Sequence, residues 1–291
     1  MKEPLFLGTA TALVTPFDGD GIDFNSLDLL LRKQLDAKIP ALVICGTTGE
    51  GSTLSKEEKA QLWMHCVHYA DGACKIIAGI GSNNTHAAMD LAQTAERCGV
   101  DGLLAVTPYY NKCTQEGLAE HYLSIAAACT LPLITYNVPS RTGMTMTTDT
   151  CRRLSTHPRI NGMKDATGNI SQTAQLCSLP NSYVWSGNDD QIVPIMALGG
   201  CGVISVLSNL CPEIVKAMTE LCLNGQYKRA AELQLQYLPL IEALFNEVNP
   251  IPMKAALASQ GLCKNILRLP LTPLSPDSRK KLFSAMERCL I

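Results

Sequence analysis

The feature that most constrains the fold of this 291-residue chain is a repeated alternation of apolar stretches with amphipathic helical segments. Eight apolar stretches are predicted to be strands, at residues 9–17, 41–45, 75–80, 102–107, 132–138, 160–164, 183–186 and 203–207. Each is followed by a predicted helix, at residues 25–38, from Ser55 onward, and at residues 85–98, 117–129, 148–155, 170–178, 191–198 and 212–224. Strands joined through helices run parallel, and eight such units are typical of the closed α/β barrel, the (β/α)8 TIM barrel.

The alternative to a closed barrel is a doubly wound open sheet. The glycine-rich fingerprint that opens the first helix of many such sheets is missing from this sequence. Three more helical segments follow the last strand, at residues 227–245, 252–261 and 276–290. They are too few for another α/β unit, so we expect them to pack on the barrel wall. The predicted domains are a barrel over residues 1–225 and a C-terminal three-helix extension over residues 226–291.

Composition excludes several classes of protein. Hydrophobic residues make up 46% of the chain and the net charge is −2, which gives no electrostatic footprint for nucleic acid or an acidic membrane. No apolar run approaches the length of a membrane span, and the N-terminus lacks the pattern of a signal peptide. The 13 cysteines are scattered singly, without the spacing of a zinc or redox motif. We therefore expect a cytoplasmic protein with structural thiols and no metal site.

Lys164 is the candidate nucleophile. Active sites of such barrels lie at the C-terminal ends of the strands, and Lys164 is the one lysine predicted at such an end, whereas Lys75 starts a strand. Burial disfavours the charged ammonium and lowers a lysine pKa. A neutral amine attacks a ketone to form an imine. The alternatives are a lysine that reaches past the strand into solvent, or one that pairs with Asp165.

Other polar groups are predicted at neighbouring strand ends. The glycines and threonine hydroxyls of residues 46–49 suit a carboxylate, although a plain strand–helix turn is the alternative. Tyr110, Tyr136 and Thr47 follow three neighbouring strands and suit a proton relay, although a lone tyrosine usually packs with one hydrogen bond. Arg141 suits bidentate capture of a second carboxylate, with a surface arginine as the alternative.

Together these residues resemble the dihydrodipicolinate synthase family of class I, lysine-imine aldolases. The resemblance runs from about Leu7 to the C-terminus. The motifs that carry it, in family order, are Gly46-Thr47-Thr48-Gly49-Glu50, Thr107-Pro108-Tyr109-Tyr110-Asn111, Tyr136-Asn137-Val138-Pro139-Ser140-Arg141-Thr142-Gly143, Lys164-Asp165-Ala166-Thr167-Gly168, Gly202-Val203-Ile204-Ser205-Val206, Asn249-Pro250-Ile251-Pro252 and Leu269-Pro270-Leu271.

The resemblance implies condensation of pyruvate with L-aspartate 4-semialdehyde, the first committed step toward diaminopimelate and lysine. It implies no cofactor beyond a covalent imine of pyruvate. It also implies a role for each site residue: Lys164 forms the Schiff base, Tyr136 is the general acid/base, Thr47 links Tyr136 to Tyr110, Thr48 binds the pyruvate carboxylate, Gly187 and the Ile204 carbonyl shape the pocket, and Arg141 holds the semialdehyde carboxylate. In the family, the tyrosine at the Tyr110 position crosses a tight dimer interface, commonly within a homotetramer.

The departures from the family concern regulation. Asn83 and Tyr109 match residues of a candidate effector site for lysine, but Lys56, Lys59 and Ala87 stand where lysine-inhibited members can carry histidines and a glutamate. The resemblance therefore predicts weak or absent inhibition by lysine.

Two rival functions are weighed against this one. Another pyruvate-imine lyase, such as N-acetylneuraminate lyase or a keto-sugar-acid aldolase, usually lacks the arginine found here at position 141. A barrel that has lost catalysis and serves as a binding protein would have lost Lys164 or Tyr136, and both are present.

Overall fold

Eight parallel strands close into a barrel in the computed structural model, which describes residues 2–290. The strands are β1 Gly8–Ala12, β2 Ala41–Ile44, β3 Lys75–Gly79, β4 Gly102–Val106, β5 Leu133–Asn137, β6 Ile160–Asp165, β7 Tyr183–Ser186 and β8 Gly202–Ser205. Each strand pairs with its neighbours in sequence, and β8 closes the barrel against β1. The predicted (β/α)8 TIM barrel is confirmed.

A helix follows every strand, and three helices complete the chain. They are α1 Phe24–Asp36, α2 Lys56–Ala70, α3 Thr85–Arg97, α4 Gln115–Ala128, α5 Thr148–Ser155, α6 Ile170–Cys177, α7 Ile192–Ala197, α8 Pro212–Leu223, α9 Tyr227–Leu244, α10 Ile251–Ser259 and α11 Pro276–Arg288. The predicted start of α2 is confirmed, since Ser55 and Glu58 form a reciprocal capping box. One helical turn, Pro139–Thr142, lies between β5 and α5 and was not predicted.

The largest error of the sequence prediction lies in the first strand. It was predicted to reach Phe17, but β1 ends at Ala12, and Phe17–Asp18 instead pairs with Gly21–Ile22 in a small hairpin. Leu13 and Val14 beyond β1 remain buried. An apolar run therefore continues past the end of the strand, and hydrophobic pattern alone does not mark where the pairing stops.

The strands are covered on both faces. One cluster of buried residues fills the barrel interior and includes Ala10, Val43, Leu104 and Tyr136. A second, larger cluster lies between the strands and the surrounding helices. Because neighbouring residues in register share a face of the sheet, the pairing of Tyr136 with Lys164 directs Lys164 into the barrel interior as well.

The C-terminal helices belong to the same hydrophobic core as the barrel helices. Helix α9 packs against α8 and α11, and α10 packs against the 3-10 turn Leu207–Asn209 that follows β8. The predicted domain boundary falls at Gly225, between α8 and α9, and buried side chains of one continuous cluster lie on both sides of it. This packing brings the segment before α10 over the C-terminal end of the barrel. Within residues 2–290 no helix combines the length and apolar character needed to cross a membrane.

Candidate active site

Lys164 is a buried amine at the C-terminal end of β6. Its exposed fraction is only 5%. Burial lowers the pKa of Lys164 to about 8; the negative charge of Asp189 opposes this shift and the positive charge of Arg141 adds to it. Roughly a tenth of the side chains therefore carry a neutral, nucleophilic amine at pH 7. This is the electronic state that imine chemistry requires.

The structure favours neither alternative for Lys164. The side chain is buried and does not reach solvent. Asp165 points to the outer face of β6, where its carboxylate accepts hydrogen bonds from the Thr167 backbone N–H at 3.1 Å and the Thr173 hydroxyl at 2.5 Å. Successive residues of a strand face opposite sides, so Asp165 and Lys164 diverge.

Gly187, at the end of β7, makes room for the lysine. A Cβ atom at this position would lie 3.1 Å from Lys164 Cε and 2.7 Å from the Cβ of Ala166. The second distance is shorter than real Cβ contacts, and Ala166 is fixed by the backbone after β6. Only glycine therefore fits here without a shift of Lys164 or of the strand end.

Tyr136 lies beside Lys164 in the neighbouring strand. The two residues are register partners in β5 and β6, and Lys164 Nζ lies 4.3 Å from the centroid of the phenol ring. Burial raises the pKa of Tyr136 to about 12, with a small opposing effect from Arg141. The phenol is therefore protonated at neutral pH.

A cavity of about 410 Å³ opens beside Tyr136 at the C-terminal end of the barrel. Its lining includes Thr47, Tyr136 and Arg141 from the predicted site, together with Tyr109 and Lys59. The volume suits a small-molecule ligand. Thr47, Tyr136 and Arg141, which were predicted at this end of the barrel, therefore line one cavity within a single chain.

The loop of residues 46–50 is held tightly against the barrel. Backbone N–H groups of Glu50 and Gly51 donate to the carbonyls of Thr47 and Gly46, both at 3.1 Å. A Cβ at Gly51 would lie 2.1 Å from the carbonyl oxygen of Cys45, so the chain approaches itself too closely for any other residue. The Thr48 hydroxyl is buried and accepts a hydrogen bond from Asn249 Nδ2 at 2.9 Å.

Glu50 ties this loop to the C-terminal extension. It has a φ of +51°, a conformation that most side chains avoid, and its carboxylate pairs with Lys254 of α10 in a fully buried ion pair. The backbone N–H of Arg268 donates to Glu50 Oε2 at 3.0 Å. Strained backbone of this kind persists only where surrounding contacts fix it.

Arg141 lies on the one-turn helix Pro139–Thr142 at the cavity mouth. Its guanidinium Nη2 donates to the backbone carbonyl of Asn249 at 3.2 Å. The side chain is exposed and lines the cavity, which is the position expected of a group that captures an anion from solvent.

Six predicted site residues do not line this cavity, namely Lys164, Thr48, Gly187, Tyr110, Ile204 and Asn83. The Tyr110 side chain is 92% exposed on a residue with a φ of +71°, so the chain by itself does not place it beside Thr47 and Tyr136. Ile204 of β8 is fully buried in the barrel interior, in the same cluster as Tyr136.

The two predicted effector residues differ in their surroundings. The carbonyl of Asn83 accepts a hydrogen bond from the side-chain amide of Asn111 at 2.9 Å, whereas Tyr109 lines the cavity, as Lys59 does.

Sequence reasoning assigned no role to two buried polar residues of the site, Asn249 and Asp189. Asp189 Oδ2 accepts the backbone N–H groups of Val206 and Leu207 at 3.0 and 2.9 Å, and its charge acts on Lys164. The sequence signal that could have identified Asp189 is its position shortly after the end of β7. Asn249 is separated from Thr48 by 201 residues, and only its family-like tail motif pointed to it.

All thirteen cysteines carry free thiols. Across residues 2–290 no cluster of three or more histidine, cysteine, aspartate or glutamate side chains is arranged to hold a metal ion.

The fold and the site define a (β/α)8-barrel protein whose candidate active site is built around a buried strand-end lysine. The family model for the dihydrodipicolinate synthetase family matches residues 5–289. The 4-hydroxy-tetrahydrodipicolinate synthase of Caldicellulosiruptor saccharolyticus is 46% identical over 285 residues, which cover 97% of each chain.

Solved structures give the same result. The 4-hydroxy-tetrahydrodipicolinate synthase of the thermoacidophilic methanotroph Methylacidiphilum fumariolicum SolV has a TM-score of 0.96 at 41% identity, covering 97% of this chain and 95% of that one. A monomeric dihydrodipicolinate synthase variant has a TM-score of 0.96 at 39% identity, covering 98% and 97%. The chain therefore belongs to the dihydrodipicolinate synthetase family, as its motifs predicted.

Proposed function

We propose that this chain is a lyase that condenses pyruvate with L-aspartate 4-semialdehyde, and that the reaction runs through an imine between pyruvate and Lys164. The product is 4-hydroxy-tetrahydrodipicolinate, the compound named in its relatives, which leads to diaminopimelate and lysine. The observation that supports this mechanism best is the buried Lys164 amine, with a pKa of about 8, facing Tyr136 inside the barrel.

The chemistry follows from the neutral amine. Its lone pair attacks the C2 carbonyl of pyruvate, and loss of water from the carbinolamine gives the imine. Removal of a proton from C3 gives an enamine, and C3 then forms a bond to the aldehyde carbon while the aldehyde oxygen takes a proton. The amino group of the semialdehyde next attacks C2, closes the ring and releases Lys164.

Tyr136 is the proposed proton carrier. Dehydration of the carbinolamine needs a proton on the departing hydroxyl, and the protonated phenol supplies one. The phenolate left behind then regains a proton from the hydroxyl of the neighbouring Thr47, which restores the phenol in the proposed relay. The desolvated interior strengthens each of these hydrogen bonds relative to water.

The two substrate carboxylates are assigned to two separate groups. Thr48 and the backbone N–H groups of residues 46–49 lie on the floor of the site and suit the carboxylate of pyruvate. Arg141 at the cavity mouth suits the carboxylate of the semialdehyde, which arrives second. Gly187 and Ile204 then bound the pyruvate side of the pocket.

Tyr110 completes the relay only from another copy of the chain. Its 92% exposure on the loop after β4 fits a side chain that crosses an interface, and we propose a homotetramer built as a dimer of dimers. We also propose the cytoplasm as its compartment, because thirteen free thiols persist most readily under reducing conditions.

The rival is another pyruvate-imine lyase acting on N-acetylneuraminate or a keto sugar acid. The condensation reaction is favoured over it, because the curated relative and the solved neighbour described above are both 4-hydroxy-tetrahydrodipicolinate synthases. Arg141 at the cavity mouth supports the same choice, since the second substrate carries a carboxylate and not a long polyol.

The test is borohydride reduction in the presence of pyruvate, followed by peptide mass mapping, with turnover of aspartate semialdehyde measured in parallel. We expect a reduced pyruvyl adduct on Lys164 together with turnover. Lys164→Ala should abolish both. An adduct without turnover would transfer the assignment to the rival lyases, which are then assayed with N-acetylneuraminate and keto sugar acids.

Lys59 provides the matched control. Lys59 lines the cavity beside Tyr136, and burial lowers its pKa as it lowers that of Lys164. If proximity to the cavity and a lowered pKa were sufficient, pyruvate would be trapped on Lys59 too. We expect Lys59→Ala to retain the adduct on Lys164, and a loss of labelling in this variant would contradict the assignment.

A further inference from the structure

We propose that Asn249 is a positioning residue that orients the Thr48 hydroxyl toward the pyruvate carboxylate and holds Arg141 at a fixed distance from it. This inference rests on the proposed function, because it assigns Asn249 a part in binding the same carboxylates. Asn249 lies between α9 and α10 in the C-terminal extension, outside the eight βα units that carry the other site residues.

Asn249 contacts both candidate carboxylate-binding groups. It is 95% buried, its side-chain Nδ2 donates to Thr48 Oγ1 at 2.9 Å, and its backbone carbonyl accepts from Arg141 Nη2 at 3.2 Å. One residue thus joins the floor of the site to its mouth. A displacement of Asn249 would change the distance between the two groups that bind the substrates.

The direction of the bond to Thr48 determines what that hydroxyl does. An amide NH2 group only donates, so Thr48 Oγ1 is the acceptor in this bond. A hydroxyl has a single proton, and this bond leaves it free to donate elsewhere. A substrate carboxylate only accepts. Asn249 therefore sets Thr48 in the state that binds a carboxylate.

The remaining polar atom of Asn249 distinguishes it from a structural amide. Its Oδ1 is buried and has no hydrogen-bond partner within residues 2–290. Asn161, a buried amide at the opposite end of the barrel, is satisfied at both ends: its Nδ2 donates to the Glu3 carbonyl at 2.8 Å and its Oδ1 accepts from Leu5 N–H at 3.0 Å. The position of Asn249 therefore satisfies the hydrogen bond to Thr48 and leaves its own Oδ1 without a partner among the described residues.

Asn249→Asp tests the proposal with almost no change in shape. The new carboxylate only accepts, so the Thr48 hydroxyl must turn its proton toward it and away from pyruvate. We expect the KM for pyruvate to rise at least about tenfold, the loss of one hydrogen bond to a charged group, with a smaller fall in kcat. Asn249→Ala, which adds no charge, should raise the KM in the same direction but less.

The Thr48→Val background separates this role from a general effect of the new charge. In that background the hydroxyl is gone, so adding Asn249→Asp should change the KM for pyruvate by less than about threefold. If the two changes instead multiply in full, Asn249 does not act through Thr48 and the proposal is wrong. Asn161→Asp makes the same substitution in a buried amide far from the site, and it should leave the KM for pyruvate unchanged.

Failure of the proposed function gives a different result. If the chain does not form the pyruvate imine, the unsubstituted protein shows no borohydride adduct. If only this inference fails, the unsubstituted protein is labelled and active, and Asn249→Asp and Asn249→Ala retain its KM for pyruvate. Thermal unfolding shows whether each variant is folded. If Asn249→Asp does not fold, the KM of Asn249→Ala for pyruvate is the test: an increase supports the inference and an unchanged value contradicts it.

Discussion

Replacing Lys254 by methionine tests whether a buried ion pair holds the C-terminal extension to the loop of residues 46–50. The Lys254 ammonium pairs with the Glu50 carboxylate, and both side chains are fully buried. Lys254 Nζ also donates to the Ile266 carbonyl at 2.8 Å and lies 4.0 Å from the ring centroid of Phe17. Methionine retains the length and a favourable contact with the ring, but it leaves the carboxylate and the carbonyl without their donor.

The expected magnitude follows from these contacts. Removing one partner of a buried ion pair costs about 3–5 kcal/mol of folding free energy. The Ile266 carbonyl, left without its donor, adds about 1–3 kcal/mol to this loss. Adding Glu50→Gln removes the buried charge and keeps an oxygen that accepts from the Arg268 N–H. The double variant should therefore lose only about 1–3 kcal/mol, less than Lys254→Met alone.

Urea unfolding at one fixed protomer concentration measures these differences, because association changes apparent stability. Trp63 and Trp185 are both fully buried and report unfolding by fluorescence. Lys264→Met is the matched control: its ion pair with Asp18, at 2.5 Å, is 53% exposed on the lysine side and should contribute less than about 1 kcal/mol. A double variant that loses the sum of the two single losses would refute the coupling between Glu50 and Lys254.

Three further predictions concern activity. Because the folded-state pKa of Lys164 is lowered to about 8, the neutral amine increases as pH rises, so the rate of borohydride labelling with pyruvate should climb through about pH 8; a flat profile from pH 6 to 9 would contradict this. Gly187→Ala should lower kcat more than about tenfold, because the new Cβ would lie 2.7 Å from that of Ala166, whereas Gly117→Ala, whose Cβ is in ordinary contact at 3.4 Å, should leave kcat unchanged. Lysine should inhibit weakly or not at all, because the described lining of the cavity offers the Lys59 amine and no carboxylate; a sub-millimolar half-inhibitory concentration in a steady-state assay would overturn this.

Hydrophobic patterning was sufficient to predict the barrel, because parallel strands buried on both faces read as short apolar runs. The error at β1 shows where this signal fails. Leu13 and Val14 are as buried as the strand residues before them, yet the strand has ended at Ala12. An apolar run in the sequence indicates that its residues are buried. It does not indicate where strand pairing ends, because pairing depends on neighbours that are distant in sequence.

The site was predictable to the extent that its residues follow strand ends. Lys164 and Tyr136 were identified because chemistry and position agree at one end of the barrel. The ion pair between Glu50 and Lys254 was not predicted from the sequence, because 204 positions separate the two residues. A single charged residue in an apolar helix is also usually interpreted as a surface residue. Such contacts depend on how the C-terminal extension packs, and local periodicity does not encode that packing.

Residues on both sides of the predicted boundary after residue 225 contact the candidate site, so the C-terminal extension takes part in its geometry. Asn249 contacts Thr48 and Arg141, while Lys254 pairs with the buried carboxylate of Glu50, so the extension holds the 46–50 loop at Thr48 and at Glu50. The φ of +51° at Glu50 is a strained conformation, and contacts from Lys254 and Arg268 of the extension help to fix it. Loosening the extension should consequently release the 46–50 loop first. Activity should then fall at urea concentrations that leave the fluorescence of the barrel tryptophans unchanged.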